Sequence, residues 1–282
     1  MNRLIINADD FGIHEQVNNG VIQAHRQGIL TSTSLLANGT AFTEAVAVAK
    51  MCPNLGIGAH LCLVGGLPPV LPVDQVRSLV TEDGTLPADY TVFMKNVYKG
   101  KVNFNEVYQE LDAQLTRIAA TGLSITHVDS HQHMHILPPV LKITVALMKK
   151  YGLHRLRIPR ESYFFKVASA GMVRIVGRDG LTFLSNRAMK AVRDNQFITT
   201  DYFWGMIDGG NMNVKNLSYI IQNLPFGINE IMIHPGVHPE ILGKTFTWGY
   251  HWQDEYDAVV NPQVRQLIED RQIELVHYGQ LP

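Results

Sequence analysis

LIINADDFGIHEQVNNGVIQAHRQGILTSTSLLANG, residues 4–39, decides the fold. LIIN (4–7) is a short apolar run suited to a buried strand. VNNGVIQAHRQGI (17–29) carries its apolar residues at helical spacing and meets a stop at Gly28, and TSTSLLAN (31–38) reads as a second strand. The rhythm continues with a helix in FTEAVAVAKM (42–51), a strand in GIGAHLCL (the region around 57–64), an amphipathic helix in NEVYQELDAQLTRIAATG (105–122) and a strand in SITHVD (124–129). PPVLKITVALMKKYG (138–152) is a helix opened by proline and closed by glycine; RLRIP (155–159), EIMIHP (230–235) and IELVHY (273–278) are further short strands. Between 160 and 205 the pattern is poorer, with one helix expected near 185–194. Strands alternating with helices call for a parallel sheet with both faces covered. The expected fold is therefore α/β, an irregular (β/α) TIM-like barrel of parallel strands, with a doubly wound sheet as the alternative. GGLPPVLPVDQVRSLVTEDGTLP (65–87) interrupts the rhythm and reads as a long excursion on the face where such barrels carry their active sites.

The chain has 282 residues, 46% of them hydrophobic and 17% charged, which suits a single domain over 1–282. Lys and Arg number 24 against 25 Asp and Glu, a formal charge of −1 that offers no global field for nucleic acid or an anionic membrane. A small or neutral substrate is the expectation. Cys52 and Cys62 form no CxxC pair and read as buried, reduced thiols. MNRLIINADDFG is too brief for a signal-peptide core, and no apolar run approaches the roughly 18 to 20 residues of a membrane span. The expected location is the cytoplasm.

The polar residues fall at or near strand ends: Asp9 and Asp10 after LIIN, His60 in GAHL, Asp129 and His131 after SITHV, Arg157 in RLRIP, His234 after EIMI. In a parallel β/α architecture those ends converge on one face, so residues distant in sequence meet there. Taken singly, Asp-Asp before Phe-Gly also suits a turn, and a histidine ending a strand is often structural. HVDSHQHMH (127–135) shifts the balance toward a metal site. One Asp with two His leaves open positions for water and substrate, which makes Asp10, His60 and His131 the candidate ligands. Pro138 and Pro139 end the strand early, so only some of the imidazoles can reach one ion.

NADDFG, TSTSLLANG, GAHLCL, THVDSHQHMH and IMIHPG, in this order, closely resemble the YdjC-like carbohydrate deacetylases, relatives of NodB-type polysaccharide deacetylases. The resemblance spans nearly the whole chain and is weakest over 160–225. It implies Asp10, His60 and His131 as ligands of a divalent metal, magnesium first, with zinc physically credible for two imidazoles. It further implies Asp9 as catalytic base, His234 as acid, and Arg157 as the residue holding the base in its charged form. The implied substrates are short N-acetylated sugars such as diacetylchitobiose. A small oligosaccharide is the expected partner and a homodimer the expected assembly.

Aromatic side chains cover the apolar faces of sugars, and two clusters occur, Tyr202, Phe203 and Trp204, and Phe246, Trp248, Tyr250 and Trp252. Most suit a core or an interface. TFTWGYHWQDEYD (245–257) reads as a substrate or interface loop, with Trp248 and Asp129 as candidate sugar contacts. A phosphoesterase or amidohydrolase on a similar barrel, or a non-catalytic sugar-binding protein, are the competing readings. GxxxxGK[ST] and GxSxG do not occur, which leaves ATP-driven and serine-hydrolase schemes without support.

Overall fold

The computed structural model describes residues 2–163, 165 and 172–282. Its elements run β1 (Arg3–Phe11), α1 (Glu15–Gln27), β2 (Ser32–Leu36), α2 (Phe42–Ala49), β3 (Gly56–Leu61), α3 (Tyr90–Tyr98), α4 (Phe104–Ala119), β4 (Ile125–Ser130) and α5 (Pro138–Lys150). They continue α6 (Met172–Asp194), β5 (Tyr202–Trp204), α7 (Val214–Gln222), β6 (Ile228–Ile233), α8 (Pro239–Thr245), α9 (Trp252–Val260), α10 (Pro262–Asp270) and β7 (Glu274–Leu275). The strands are parallel and lie in the order β4-β3-β2-β1-β6-β5, with β7 also pairing β1.

The sheet curls as the sequence pattern leads one to expect. Beyond β4, Val128 bridges Leu156 and Arg155 bridges Ile198. Asp201 N–H then donates to Ile228 O just ahead of β5. Pairing thus passes from β4 through 155–157 and 198–204 back toward β6, which gives the α/β, barrel-like form. Leu4, Ile5 and Ile6 are all buried, as an unbroken apolar strand covered on both faces requires.

Local chemistry fixes the crossovers. His14 caps α1 by accepting from Gln16 N–H, and Asn103 and Asn261 cap α4 and α10 in the same way. At Gly28 a Cβ would lie 2.3 Å from the Val259 carbonyl oxygen, so the helix stop read in the sequence is enforced by close packing of the chain. Pro138 opens α5 at the position where its missing N–H costs nothing.

Several boundaries differ from the sequence reading. β1 continues to Phe11, so Asp9 and Asp10 lie inside the strand rather than after it. The helix expected at 185–194 begins at Met172. Part of the poorly patterned stretch, 164 and 166–171, lies outside the described residues. The final strand shrinks to Glu274–Leu275 because the chain turns into a 3-10 segment at Tyr278–Gln280. Cys52 and Cys62 are buried and free, and burial pushes the Cys62 thiol up to about 12, as an inert core thiol requires. Among the described residues no helix is long and apolar enough to cross a membrane.

Candidate active site

Asp10 has φ +66, and the β1–β2 register shifts between Ala8 and Phe11. In a regular strand Asp9 and Asp10 would point to opposite faces. The irregularity turns both carboxylates into one buried cluster, at a backbone cost on the order of 1 kcal/mol for a non-glycine residue in this region.

Asp10 meets two imidazoles from other strands. His131 Nδ1 lies 2.8 Å from Asp10 Oδ1 and His60 Nε2 lies 3.3 Å from the same oxygen, the latter without hydrogen-bond alignment. Ligand atoms of Asp10, His60 and His131 fall within 4.8 Å of one another. Asp10 Oδ2, His60 Nε2 and His131 Nε2 are buried without a hydrogen-bond partner. Orphaned buried atoms are costly, and a carboxylate oxygen with two imidazole nitrogens is a donor set that a divalent cation satisfies. The residues fit such an ion.

The β3–β4 register sets His60 beside Asp129, and Asp129 Oδ1 accepts from His60 Nδ1 at 2.8 Å. That bond places one ring proton on Nδ1 and turns Nε2 toward Asp10 and His131. Burial opposes charge on His60, but Asp129 and Asp9, with the contact to Asp10, raise its pKa to about 10. Asp10 moves the other way. Burial would raise its carboxyl, yet His131 and then His60 hold it well below the usual carboxylate range. The cluster therefore favours positive charge at its centre.

Asp9 faces a different partner. Arg157 grips it as a fork, Nη1 to Oδ2 at 2.7 Å and Nη2 to Oδ1 at 2.8 Å, and Asn7 Nδ2 donates to Oδ1 at 2.9 Å. Arg157 also reaches Asp129 Oδ2 at 2.7 Å, an oxygen that accepts from Ser34 Oγ at 2.6 Å. Asp129 is fully buried and both its oxygens are engaged, so it stands behind His60 rather than toward a sugar. This position departs from the substrate contact expected of it.

His234 follows β6, and its backbone N–H donates to the Glu255 carboxylate. Its Nδ1 lies 3.7 Å from Glu255 Oε2, and its ring 4.5 Å from that of Tyr250. Burial lowers the His234 pKa, but the adjacent Glu255, and after it Asp10 and Asp9, bring the net shift upward. Gly210, at φ +81, packs against Tyr250 where a Cβ would come within 2.4 Å of the ring. The loop that holds Tyr250 also carries Trp248, whose ring centroid is 5.1 Å from that of His131. Trp248 is half-buried, in contact with Phe246 at 4.7 Å and Tyr250 at 5.6 Å between centroids. An aromatic wall thus flanks both His131 and His234. Phe203 and Trp204, by contrast, are buried.

The remaining imidazoles of HVDSHQHMH lie elsewhere. His127 stacks on Tyr278 at 4.1 Å and is pushed down to about 3 by burial. His135 is held between Ser130 Oγ and the Arg157 carbonyl. His133, at φ +56, packs edge-on to Phe203. Sequence reasoning missed Asn7, Ser34, Glu230 and Glu255. A polar residue inside a fully buried strand was the available signal for the first three; Glu255, inside the acidic-looking QDEYD, offered none.

The family model described as YdjC-like protein matches residues 3–270, and the chain belongs to that family. A carbohydrate deacetylase of Brevibacillus brevis is 32% identical over 99% of both chains, and one of Thermoanaerobacter pseudethanolicus is 30% identical over 99% of both. Among solved structures, a protein of Enterococcus faecalis V583 assigned provisionally to cellobiose-phosphate cleavage superimposes with a TM-score of 0.79 at 30% identity, covering 99% of this chain and 98% of that one.

Proposed function

We propose that the chain is a divalent-metal-dependent carbohydrate deacetylase that hydrolyses the N-acetyl group of short acetylated sugars, diacetylchitobiose and related chitooligosaccharides among them. The activity named for the Brevibacillus and Thermoanaerobacter relatives supports this reading. The observation that carries it is the different partners of two adjacent carboxylates in one cluster: Asp10 meets His60 and His131, while Asp9, also within reach of His60 and Asp129, is gripped by the Arg157 fork.

Asp10, His60 and His131 would hold a divalent cation, magnesium by family resemblance with zinc also compatible, which would supply positive charge to acidify water and to offset negative charge on the amide oxygen. Asp9, oriented by Arg157, takes one proton from that water as its oxygen bonds to the acetyl carbon. His234, with its pKa raised beside Glu255, gives a proton to the amide nitrogen as the C–N bond breaks. Acetate and a free sugar amine leave. Asp129 positions His60, and Trp248 covers the apolar face of the sugar next to His131. Buried free thiols at Cys52 and Cys62 support the cytoplasmic part of the reading, and the homodimer is measured by sedimentation of the purified protein.

Sugar-phosphate cleavage is the second reading, favoured by what the Enterococcus structure is assigned to. The site argues for the amide. Arg157, the arginine at its centre, is wholly engaged by carboxylates, and a phosphate dianion would face Asp9 and Asp10 without a free guanidinium. Acetate release from diacetylchitobiose, measured beside the disappearance of cellobiose phosphate, decides between them; cleavage of cellobiose phosphate without acetate release overturns the proposal.

A further inference from the structure

Glu230 and Tyr278 are fully buried, carry polar groups, and take no part in the steps above. Glu230 lies on β6 and meets the Nε–Nη2 edge of Arg157, beside the Nη1–Nη2 edge that Asp9 takes. Its Oε1 accepts from Arg157 Nε at 2.9 Å and lies 2.8 Å from Nη2, while its Oε2 accepts from Tyr278 Oη at 2.5 Å. Together with the fork on Asp9, these contacts give each of the three guanidinium nitrogens a carboxylate that accepts from it, and Asp129 lies 2.7 Å from Nη1.

We propose that Glu230 and Tyr278 are positioning residues that set the plane of Arg157 through its Nε–Nη2 edge and so aim its Nη1–Nη2 edge at Asp9. The proposal rests on the reading of Asp9 as the base. A guanidinium is rigid and planar, so its two adjoining edges cannot be oriented independently. Nε and Nη2 meet Glu230; Nη2 and Nη1 meet Asp9. Fixing one edge fixes the other.

Tyr278 supplies the anchor and is itself anchored. Its ring stacks on His127 with planes 16° apart. The His127 ring lies over Gly58, where a Cβ would come within 2.3 Å, and its Nε2 approaches Ser34 Oγ at 3.3 Å. Burial keeps the Tyr278 phenol well above its ordinary pKa, so the hydroxyl stays a donor. Tyr278 falls beyond residues 3–270 that match the family model, so the segment after β7 contributes to the site from outside that stretch.

Tyr278→Phe keeps the stacked ring and removes only the hydroxyl; Glu230→Gln keeps the shape and removes the charge. Two readouts are taken on the full-length protein: kcat and KM for acetate release from diacetylchitobiose, and the ¹⁵N–¹H resonance and exchange rate of Arg157 Nε–H with and without added magnesium. The expected result for both variants is kcat lower by roughly tenfold, the size seen for outer hydrogen-bond partners of active-site groups, with KM little changed. The Arg157 Nε–H signal shifts and exchanges faster. A lowered melting temperature with kcat and the Arg157 signal both as in the parent protein overturns the proposal and leaves a structural role only. If Glu230→Gln does not fold, Tyr278→Phe decides alone. If the parent protein releases no acetate, the deacetylase reading fails, and the Arg157 resonance still decides whether Tyr278 orients the guanidinium.

Discussion

His60 Nδ1 and Asp129 Oδ1 sit 2.8 Å apart because β3 and β4 pair in a register that aligns these residues. The bond turns Nε2 toward Asp10 and His131, so the proposed ligand set depends on a carboxylate that stands behind it. Asp129→Asn puts an amide where Arg157 Nη1 and Ser34 Oγ need an acceptor, or where His60 does. Divalent-metal affinity is expected to fall about ten- to a hundredfold, as for other partners of metal-binding histidines, read by titration calorimetry. Unchanged affinity removes Asp129 from this role.

The His60 pKa, raised from 6.5 to about 10 without metal, links both stability and binding to pH. Because the folded value lies above the unfolded one, its stabilising contribution is complete below about pH 6.5 and is lost as pH rises through about 10. The metal-free protein is therefore expected to melt at progressively lower temperature across that window. A ligating imidazole must shed this proton, so metal binding is expected to release it, with affinity rising up to about tenfold per pH unit. Calorimetry in buffers of different ionisation enthalpy counts the proton; none released contradicts the assignment of His60.

Trp248→Ala tests the aromatic wall. Loss of a ring beside His131 is expected to raise KM for diacetylchitobiose about tenfold, the scale of one aromatic contact, with a small change in kcat. An unchanged KM assigns this loop to packing.

Much of the site was legible because parallel strands bring their ends together. Asp10, His60 and His131 could be named from strand-end position and residue type alone, and they converge in space. The direction of each side chain was not legible. Asp129 looked like a sugar contact because strand alternation cannot tell the cavity from the layer behind it, and only the register against His60 decides. The turn of Asp10 to φ +66 could not be placed from ADDFG, since aspartate tolerates that region better than most residues and two aspartates stand side by side. Short helices such as α3, with Phe93 its only buried hydrophobic side chain, hold too little apolar periodicity to be read, and Glu255 on α9 resembles any solvated acidic residue until His234 packs against it.

Asp9→Asn separates chemistry from metal binding. Asp9 lies within reach of His60 and Asp129, but Arg157 and Asn7 take its oxygens, so the variant is expected to retain its metal while acetate release falls about 10²- to 10⁴-fold, the range for loss of a general base. Loss of metal along with activity would show that Asp9 belongs to the ligand set.

The most direct measurement is acetate release from diacetylchitobiose by protein stripped of metal and then resupplied with magnesium or zinc, beside Asp10→Ala. The stripped protein is expected to be inactive and to recover on addition of the ion, while Asp10→Ala stays inactive at any concentration that restores the parent. Full acetate release from metal-free protein, or from Asp10→Ala, contradicts the account.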